Sequence, residues 1–232
     1  MTRLSERLAD LAGNALPRAH VTKVERLSPR FTRVTLAADS FRKASWIPGA
    51  KLQLRTRSGS LAFRTYTPIG WDNERGTTEL LAFTHGDGPA ARWFGQVEAG
   101  TTCHVFGPRR SIDLTGTTGP VIFVGDESSV ALACALRTVA DDVSYLFESR
   151  DPAGLEQILA GLALTERVTV AAKDADLLSL ARDAAVDRPY TLVVTGDAAT
   201  VHAVRRDIRG WPRRPAQLTG KAYWAEGRTG LD

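Results

Sequence analysis

The pattern of apolar residues changes near the middle of this 232-residue chain, and that change limits the folds open to it. From residue 20 to about residue 114, apolar residues occur in short alternating runs, which are typical of half-buried β-strands. After residue 116, short apolar runs alternate with helical periodicity, which is typical of a parallel sheet covered by helices. A stretch of small residues, 115–120, separates the two patterns. The sequence therefore predicts two domains, 1–116 and 117–232.

The first domain is predicted to be an antiparallel six-stranded β-barrel. Its clearest strand is Ala50–Arg57, where Leu52 and Leu54 alternate with Lys51 and Gln53. Further strands are expected at 30–37, 61–67, 79–85 and 102–106, and Gly, Pro, Asp and Asn turns separate them. Helices are expected at residues 2–13 and near 89–97.

The second domain is predicted to be an α/β domain with a parallel sheet. Strands are expected at 121–124, 143–147, 168–172, 191–195 and around 217–220. Helices are expected at 127–139, 152–162, 176–185 and 198–209. The fold class expected for the whole chain is thus β + α/β.

Composition narrows the functional classes. The net charge of +4, with a pI near 9.3, favours anionic small molecules or acidic partners and does not indicate nucleic acid. No run approaches the roughly 20 apolar residues of a membrane span, and residues 1–11 lack an apolar signal core. We therefore expect a cytoplasmic protein. Cys103 and Cys134 lack metal or redox spacing, so they are interpreted as reduced structural thiols, and no metal site is predicted.

The first chemical motif lies on the fourth predicted strand and reads Arg64-Thr65-Tyr66-Thr67-Pro68. Alternation places Arg64 and Tyr66 on one face and the two threonines on the other. A flavin on a barrel needs a cation for its pyrophosphate, an aromatic surface for its ring and a hydrogen-bonding group near N5. Arg64, Tyr66 and Thr67 can supply these in turn, and Tyr66 and Thr67 are the candidate catalytic residues. An ordinary exposed strand is the alternative.

A second motif follows about twenty residues later and reads His85-Gly86-Asp87-Gly88-Pro89-Ala90-Ala91-Arg92-Trp93. Pro89 fits the first turn of a helix, and small residues there allow phosphate oxygens to reach backbone N–H groups. The candidate cofactor-binding residues of this segment are Thr84, His85, Gly88, Pro89, Ala90 and Ala91. Trp93 is expected to pack in the core instead.

With these motifs, the chain resembles the siderophore-interacting proteins, which are FAD-binding ferric-siderophore reductases of the ferredoxin-reductase-like group. Besides the two motifs above, the resemblance includes Pro48-Gly49, Phe106-Gly107-Pro108-Arg109, Gly125-Asp126-Glu127, Thr195-Gly196-Asp197-Ala198, Arg205 and Tyr223-Trp224. It implies a flavin-binding barrel followed by a nucleotide-binding α/β domain, with non-covalent FAD and a nicotinamide donor. It also implies reduction of siderophore-bound ferric iron and release of ferrous iron. The chain departs from the usual motif at Ile69, Ala91, Ala131 and Ala222.

The electron donor is expected at the second domain. Asp126 follows its first strand, where ligands bind in open sheets, although its charge repels a pyrophosphate and helix capping is the alternative role. Ser149 and Arg150 end the second strand and resemble a 2′-phosphate site, which favours NADPH over NADH. A protein donor such as a ferredoxin is the other possibility. Tyr223 and Trp224 are expected to cover a flavin face or to pack the C-terminal segment.

The acceptor is expected to be an anionic ferric chelate attracted by cations. Candidate substrate-binding residues are Lys51, Arg55, Arg109, Arg110 and Lys221. Two alternatives remain open, a general NAD(P)H:acceptor flavin reductase and a non-catalytic flavin- or siderophore-binding protein.

Overall fold

A computed structural model describes residues 16–55, 63–173 and 175–227. The helix predicted at residues 2–13 lies outside these ranges. The chain divides into two compact units, Met1–Asp113 (unit 1) and Leu114–Asp232 (unit 2).

Unit 1 is built on one antiparallel sheet. Its strands are β1 (Arg18–Arg26), β2 (Phe31–Ala37), β3 (Lys51–Arg55), β4 (Phe63–Tyr66), β5 (Pro68–Asp72), β6 (Thr77–Phe83) and β7 (Thr102–Arg109). Their order is β4-β3-β7-β1-β2-β6-β5, so β4 and β5 form the two ends and the barrel-like sheet is not closed. The predicted barrel class is confirmed, with seven described strands instead of six.

The additional strand, β5, begins at Pro68 and pairs only with β6. Proline lacks a backbone N–H, so it is tolerated at the first residue of an edge strand. Gly70 and Asp72, which usually favour turns, lie in the same short strand. Because of these residues, the pattern of apolar residues did not predict this strand.

One helix, α1 (Pro89–Gln96), lies between β6 and β7 along the chain, where a helix was predicted. Its Phe94 is fully buried among apolar side chains of the strands, including Leu52, Leu54 and Leu80. The core therefore fixes α1 against the inner face of the sheet, because a large buried side chain cannot leave without creating a cavity.

Unit 2 is a five-stranded parallel sheet with helices. Its strands are β8 (Val121–Gly125), β9 (Val143–Ser149), β10 (Val168–Ala172), β11 (Thr191–Asp197) and β12 (Gln217–Trp224). Its helices are α2 (Val130–Leu136), α3 (Pro152–Gly161), α4 (Leu177–Asp183) and α5 (Ala198–Asp207). The order β10-β9-β8-β11-β12 reverses direction at β8, so a topological switch point lies between β8 and β11.

The first helix of unit 2 is shorter than predicted. Residues Glu127–Ser129 form a 3-10 turn, and α2 begins only at Val130. Asp126 accepts a hydrogen bond from the backbone N–H of Ser128 and thereby ends β8 in a tight turn. Glu127 therefore lies in this turn and not in α2.

The two cysteines, Cys103 and Cys134, are buried and form no disulfide. Burial raises the pKa of the Cys103 thiol to about 12, so it stays protonated. Among the described residues, no helix is long and apolar enough to cross a membrane.

Candidate functional site

The open edge of unit 1 carries the first motif. Arg64 lies opposite Leu54 and Tyr66 lies opposite Leu52 in the β3–β4 pair, so both share the inner face of the sheet. Arg64 is half-buried and donates one hydrogen bond to the neighbouring Phe63 carbonyl at 2.9 Å. Within the described residues it forms no ion pair, so it remains a cation without a carboxylate partner.

Tyr66 connects this edge to α1. Its ring contacts Phe94 edge to face, with ring centroids 5.0 Å apart. Burial raises the pKa of the Tyr66 phenol, so the hydroxyl is neutral across the physiological range. The two threonines of the motif differ: Thr65 accepts a 3.4 Å hydrogen bond from Gln53, and Thr67 lies half-buried between β4 and β5.

The N-terminus of α1 is open to a ligand. Gly88 is the N-cap and supplies no side-chain hydrogen bond, and Pro89 occupies the first turn. A Cβ at position 88 would meet no atom within 4 Å, so the backbone there faces open space. The N–H groups of Ala90 and Ala91 have no helical acceptor because the first helical bond runs from Arg92 to Gly88. Both features fit an anionic phosphate at this end of the helix.

The two residues before this turn differ in role. Thr84 donates its hydroxyl to the Arg30 carbonyl at 3.2 Å, so it ties the end of β6 to β2. His85 is exposed, and its ring lies 6.1 Å from the Phe83 ring. Trp93 packs against the core and against Phe94, as predicted for a core residue.

A dinucleotide flavin fits these residues of unit 1. Arg64, which has no ion-pair partner in the part of the chain that the structure describes, and the uncapped start of α1 supply positive potential and N–H donors for a pyrophosphate. Tyr66 supplies a neutral aromatic ring. Because Tyr66 contacts Phe94 of α1, strand and helix belong to one local arrangement.

The predicted substrate-binding cations lie in different environments. Lys51 and Arg109 face each other across the β3–β7 pair, and Arg109 lies over the exposed Phe106 ring at 5.0 Å. Arg110 pairs with Asp113 at 3.3 Å. Lys221 lies half-buried in β12 of unit 2.

Arg55 departs from the expected exposed position. Its residue is only 5 % exposed, although alternation along β3 predicted that it would share the outer face with Lys51 and Gln53. The alternation fails at the last residue of the strand, where Leu54 and Arg55 are both buried. Arg55 is therefore removed from the set of exposed cations available to a chelate.

In unit 2, Asp126 is the centre of a buried hydrogen-bond network at the switch point. It is 2 % exposed, and its Oδ2 accepts from Asp197 N at 2.9 Å and from Trp224 Nε1 at 2.7 Å. Its Oδ1 accepts from Ser128 N at 2.9 Å. Burial raises the pKa of Asp126, and the bonds from Ser128 and Trp224 oppose that rise. Asp126 thus joins the ends of three strands, β8, β11 and β12.

Gly196 is required by this network. It has φ +108°, and a Cβ at this position would lie 2.5 Å from the Asp126 carboxyl carbon. Any side chain would therefore displace the buried carboxyl group as well as strain the backbone.

Ser149 is not available in the way the sequence predicted. It is 1 % exposed, and its hydroxyl donates to Glu127 Oε1 at 2.7 Å and accepts from Asp151 N at 2.9 Å. Arg150 is exposed, and among the described residues its guanidinium has no hydrogen-bond or ion-pair partner. Of the predicted Ser-Arg pair, the Ser149 hydroxyl is therefore already hydrogen-bonded within the protein, and only the Arg150 guanidinium is available to a ligand.

Sequence reasoning missed a charged cluster at the same edge of the sheet. Lys173, which follows β10, contacts Glu148 at 2.7 Å and Asp197 at 3.2 Å. Thr200 donates to the same Glu148 oxygen at 2.6 Å. Burial alone would lower the pKa of Lys173, but these carboxylates raise it, so the ammonium group stays charged. Only its position directly after an apolar strand could have indicated Lys173 beforehand.

Trp224 completes this edge of unit 2. Its indole donates to Asp126, and Lys173 Nζ lies 5.8 Å from its ring centroid. Tyr223 is half-buried beside it. The structure thus places Asp126, Ser149 and Trp224 at the C-terminal edge of the parallel sheet, where ligands bind in such folds.

The open barrel-like sheet of unit 1 and the parallel sheet with helices of unit 2 are the elements of the ferredoxin-reductase-like fold. Residues 52–112 match the family model described as the siderophore-interacting FAD-binding domain, in agreement with the resemblance seen in the motifs. The match lies within unit 1 and supports flavin-dependent electron transfer by an oxidoreductase.

Solved structures show the same fold at low sequence identity. A siderophore utilization protein from T. fusca is 21% identical with a TM-score of 0.77, and covers 93% of this chain and 94% of its own. The siderophore-interacting protein SipS from Aeromonas hydrophila is 18% identical with a TM-score of 0.72, covering 91% and 99%. Phthalate dioxygenase reductase is 17% identical with a TM-score of 0.74, covering 93% and 70%. A search of curated proteins found no match.

Proposed function

We propose that this protein is an FAD-dependent reductase that transfers electrons from a nicotinamide donor to the ferric iron of a siderophore and so releases ferrous iron. The observation that carries the proposal is the combination of Arg64, which has no carboxylate partner among the described residues, with the uncapped start of α1, within a segment that matches the siderophore-interacting FAD-binding domain. Residues of unit 1 would bind the cofactor, and residues of unit 2 would bind the electron donor.

In unit 1, Arg64 would bind the pyrophosphate of FAD, together with the free N–H groups of Ala90 and Ala91. Tyr66 would present its neutral ring to the flavin, and Thr67 would place a hydroxyl near the flavin N5 position. Bound there, FAD supplies the conversion of a two-electron donor into one-electron steps.

In unit 2, the donor would bind at the C-terminal edge of the sheet, around Asp126, Ser149, Arg150, Tyr223 and Trp224. Asp126 acts here through Trp224, because its carboxyl oxygens are occupied by donors of the protein itself. We assign it a positioning role, which keeps the indole at the switch point.

The acceptor would be an anionic ferric chelate that approaches Lys51 and Arg109, the two facing cations of β3 and β7. The buried Arg55 would not take part in this attraction. Iron is the substrate of this reaction. Ferrous iron binds the hard oxygen ligands of a siderophore less tightly than ferric iron, so reduction leads to release.

The absorbance spectrum of the purified protein tests the proposal first, since a flavin spectrum is expected without covalent attachment. NADH and NADPH are then added separately without oxygen, and loss of the flavin absorbance is recorded. Reoxidation is finally compared for ferric siderophores, quinones and free flavin.

Faster reoxidation by a ferric siderophore than by quinone or free flavin supports the proposal. Equal rates with all acceptors identify a general flavin reductase instead. Reduction by a reduced ferredoxin but by neither nucleotide identifies a protein donor. A colourless protein that does not bind added FAD contradicts the proposal entirely.

A further inference from the structure

The hydroxyl of Ser149 cannot serve a 2′-phosphate as the sequence predicted. A serine hydroxyl has one proton, and Ser149 uses it for Glu127 Oε1 at 2.7 Å. The same oxygen accepts from Asp151 N at 2.9 Å. A phosphate at this point would have to displace a charge-assisted hydrogen bond between two protein groups.

Glu127 is held against the end of β9 by this contact. Its Oε1 accepts from the Ser149 hydroxyl and from the Arg150 backbone N–H at 3.2 Å. Its Oε2 has no hydrogen-bond partner within the described part of the chain, and the side chain is only half-buried. One carboxylate oxygen is therefore fixed, and the other is available to a ligand.

This position has a known chemical use in dinucleotide-binding folds. An acidic residue at the end of the second strand accepts hydrogen bonds from the ribose hydroxyls of NAD. In this chain the carboxylate is supplied from the loop after the first strand of the sheet, β8, and Ser149 of the second strand, β9, holds it in place.

The surrounding charges do not offset Glu127. Glu148 is already neutralised by Lys173, and Asp151 caps α3 through Gly154 N at 3.0 Å. The exposed Arg150 is the adjacent cation in the sequence, but its guanidinium forms no ion pair within the described part of the chain, so it does not neutralise Glu127. A 2′-phosphate, with a charge of about −1.5 to −2, would meet a fixed carboxylate here.

We propose that this protein selects NADH over NADPH, and that Glu127, held by Ser149 and the Arg150 backbone, is the residue that makes the selection. The inference rests on the proposed function, because it concerns the donor of that reaction. The free Glu127 oxygen accepts from a ribose hydroxyl, which NADH offers and the 2′-phosphate of NADPH replaces.

Binding to the FAD-loaded protein tests this inference independently of turnover. Isothermal titration with 5′-AMP and with adenosine 2′,5′-bisphosphate gives the two dissociation constants, and NADH and NADPH are titrated in the same way. We expect the 2′-phosphorylated ligand of each pair to bind roughly tenfold or more weakly, because two like charges meet at short range.

Glu127→Gln keeps an acceptor for Ser149 and removes the charge. It should bring the two dissociation constants of each pair to within about threefold, mainly by tightening the 2′-phosphorylated ligand. Glu156→Gln is the matched control, since Glu156 is exposed on α3 and the same charge is lost from the same unit. Its discrimination should equal that of the wild type.

Equal or tighter binding of the 2′-phosphorylated ligands by the wild type would overturn the inference, as would unchanged discrimination in Glu127→Gln. If no nucleotide binds, the donor half of the proposed function is wrong, and the inference with it. If the nucleotides discriminate as expected but no ferric siderophore oxidises the flavin, the inference stands and the proposed acceptor is wrong.

Discussion

Arg64 combines a half-buried guanidinium with the lack of a carboxylate partner among the described residues, so its charge is available to an anionic ligand. Arg64→Ala should therefore weaken FAD binding by about 1.5–3 kcal/mol, the usual contribution of a charge-assisted hydrogen bond. This corresponds to roughly ten- to a hundredfold in the dissociation constant. Titration of apoprotein with FAD, followed by flavin fluorescence, measures it.

Arg75→Ala is the matched control for Arg64→Ala. Arg75 is an exposed arginine of the same unit, and it pairs with Asp72 at 3.6 Å. Its loss should leave FAD binding unchanged. Equal affinity of wild type and Arg64→Ala would exclude Arg64 from the flavin site.

Gly196 offers a test of the network around Asp126. Gly196→Ala should destabilise unit 2 by about 2–4 kcal/mol, because the left-handed backbone is strained and the new Cβ overlaps the Asp126 carboxyl group. Chemical denaturation measures the free energy of unfolding. Gly210→Ala is the control, since a Cβ there meets nothing within 4 Å, and it should change that free energy by less than about 0.5 kcal/mol.

Single residues show where sequence reasoning succeeds and where it stops. The shared face of Arg64 and Tyr66 was predicted from alternation alone and is confirmed, whereas their role at a flavin stays a prediction. The hydrogen bond between Ser149 and Glu127 joins residues 22 positions apart, and no local pattern encodes it. The burial of Arg55 depends on how the end of β3 packs, which alternation also does not contain.

At the level of secondary structure, apolar runs identified the buried strands of unit 2, since β8, β9 and β11 are almost fully buried and each has apolar residues at its centre. Strand β5 was missed because Pro68 and Gly70 resemble turn residues. The start of α2 was placed too early because helix propensity does not reveal that the Asp126 side chain would turn Glu127–Ser129 into a 3-10 turn.

The contact between α4 and the end of α5 gives a pH-dependent prediction. Asp207 accepts from Arg182 at 2.9 Å and from Trp211 Nε1 at 2.7 Å. The hydrogen bond from Arg182 and then that from Trp211 lower the pKa of Asp207. A carboxyl group whose pKa is lower in the folded state stabilises the protein above its unfolded pKa, and this stabilisation is lost as the pH falls through the folded pKa.

Asp207→Asn should therefore cost about 0.5–1 kcal/mol at neutral pH, a small value because the pair is partly exposed. The difference from the wild type should shrink as the pH falls below about 4, the usual pKa of an aspartate. Denaturation curves at several pH values measure it. Asp187→Asn removes the exposed ion pair with Arg213, and its free energy of unfolding should be almost the same as that of the wild type at any pH. A cost for Asp207→Asn that does not change with pH would show that its charge contributes nothing.

Across the whole molecule, charge is distributed unevenly. Unit 1 has more Lys and Arg than Asp and Glu, whereas unit 2 has the reverse excess. If Lys51 and Arg109 attract an anionic ferric siderophore, reoxidation of the reduced flavin should slow as salt rises, since attraction between exposed charges is screened over about 8 Å at physiological salt. Stopped-flow absorbance measures this second-order rate.

Lys51→Ala with Arg109→Ala should flatten that salt dependence, whereas Lys43→Ala with Arg75→Ala removes two exposed cations of the same unit and should leave it intact. A neutral ferric chelate controls for effects of salt on the protein. Equal rates for charged and neutral chelates at every salt concentration would contradict the electrostatic argument.

The order of strands and helices along the chain was predictable, because the strand-like alternation of apolar residues gives way to apolar runs that alternate with helical periodicity.

That the barrel-like sheet is open was not predictable. Closure depends on whether β4 and β5 pair with each other, and these short strands contain few apolar residues.

The uncapped start of α1 has a consequence for how such a chain changes during evolution. The polar groups that it offers to a ligand are main-chain N–H groups, which every residue type other than proline presents alike. A substitution at Ala91 therefore alters a side chain while the backbone donors remain. Loss of such a donor would require a proline or a shift of the helix start itself.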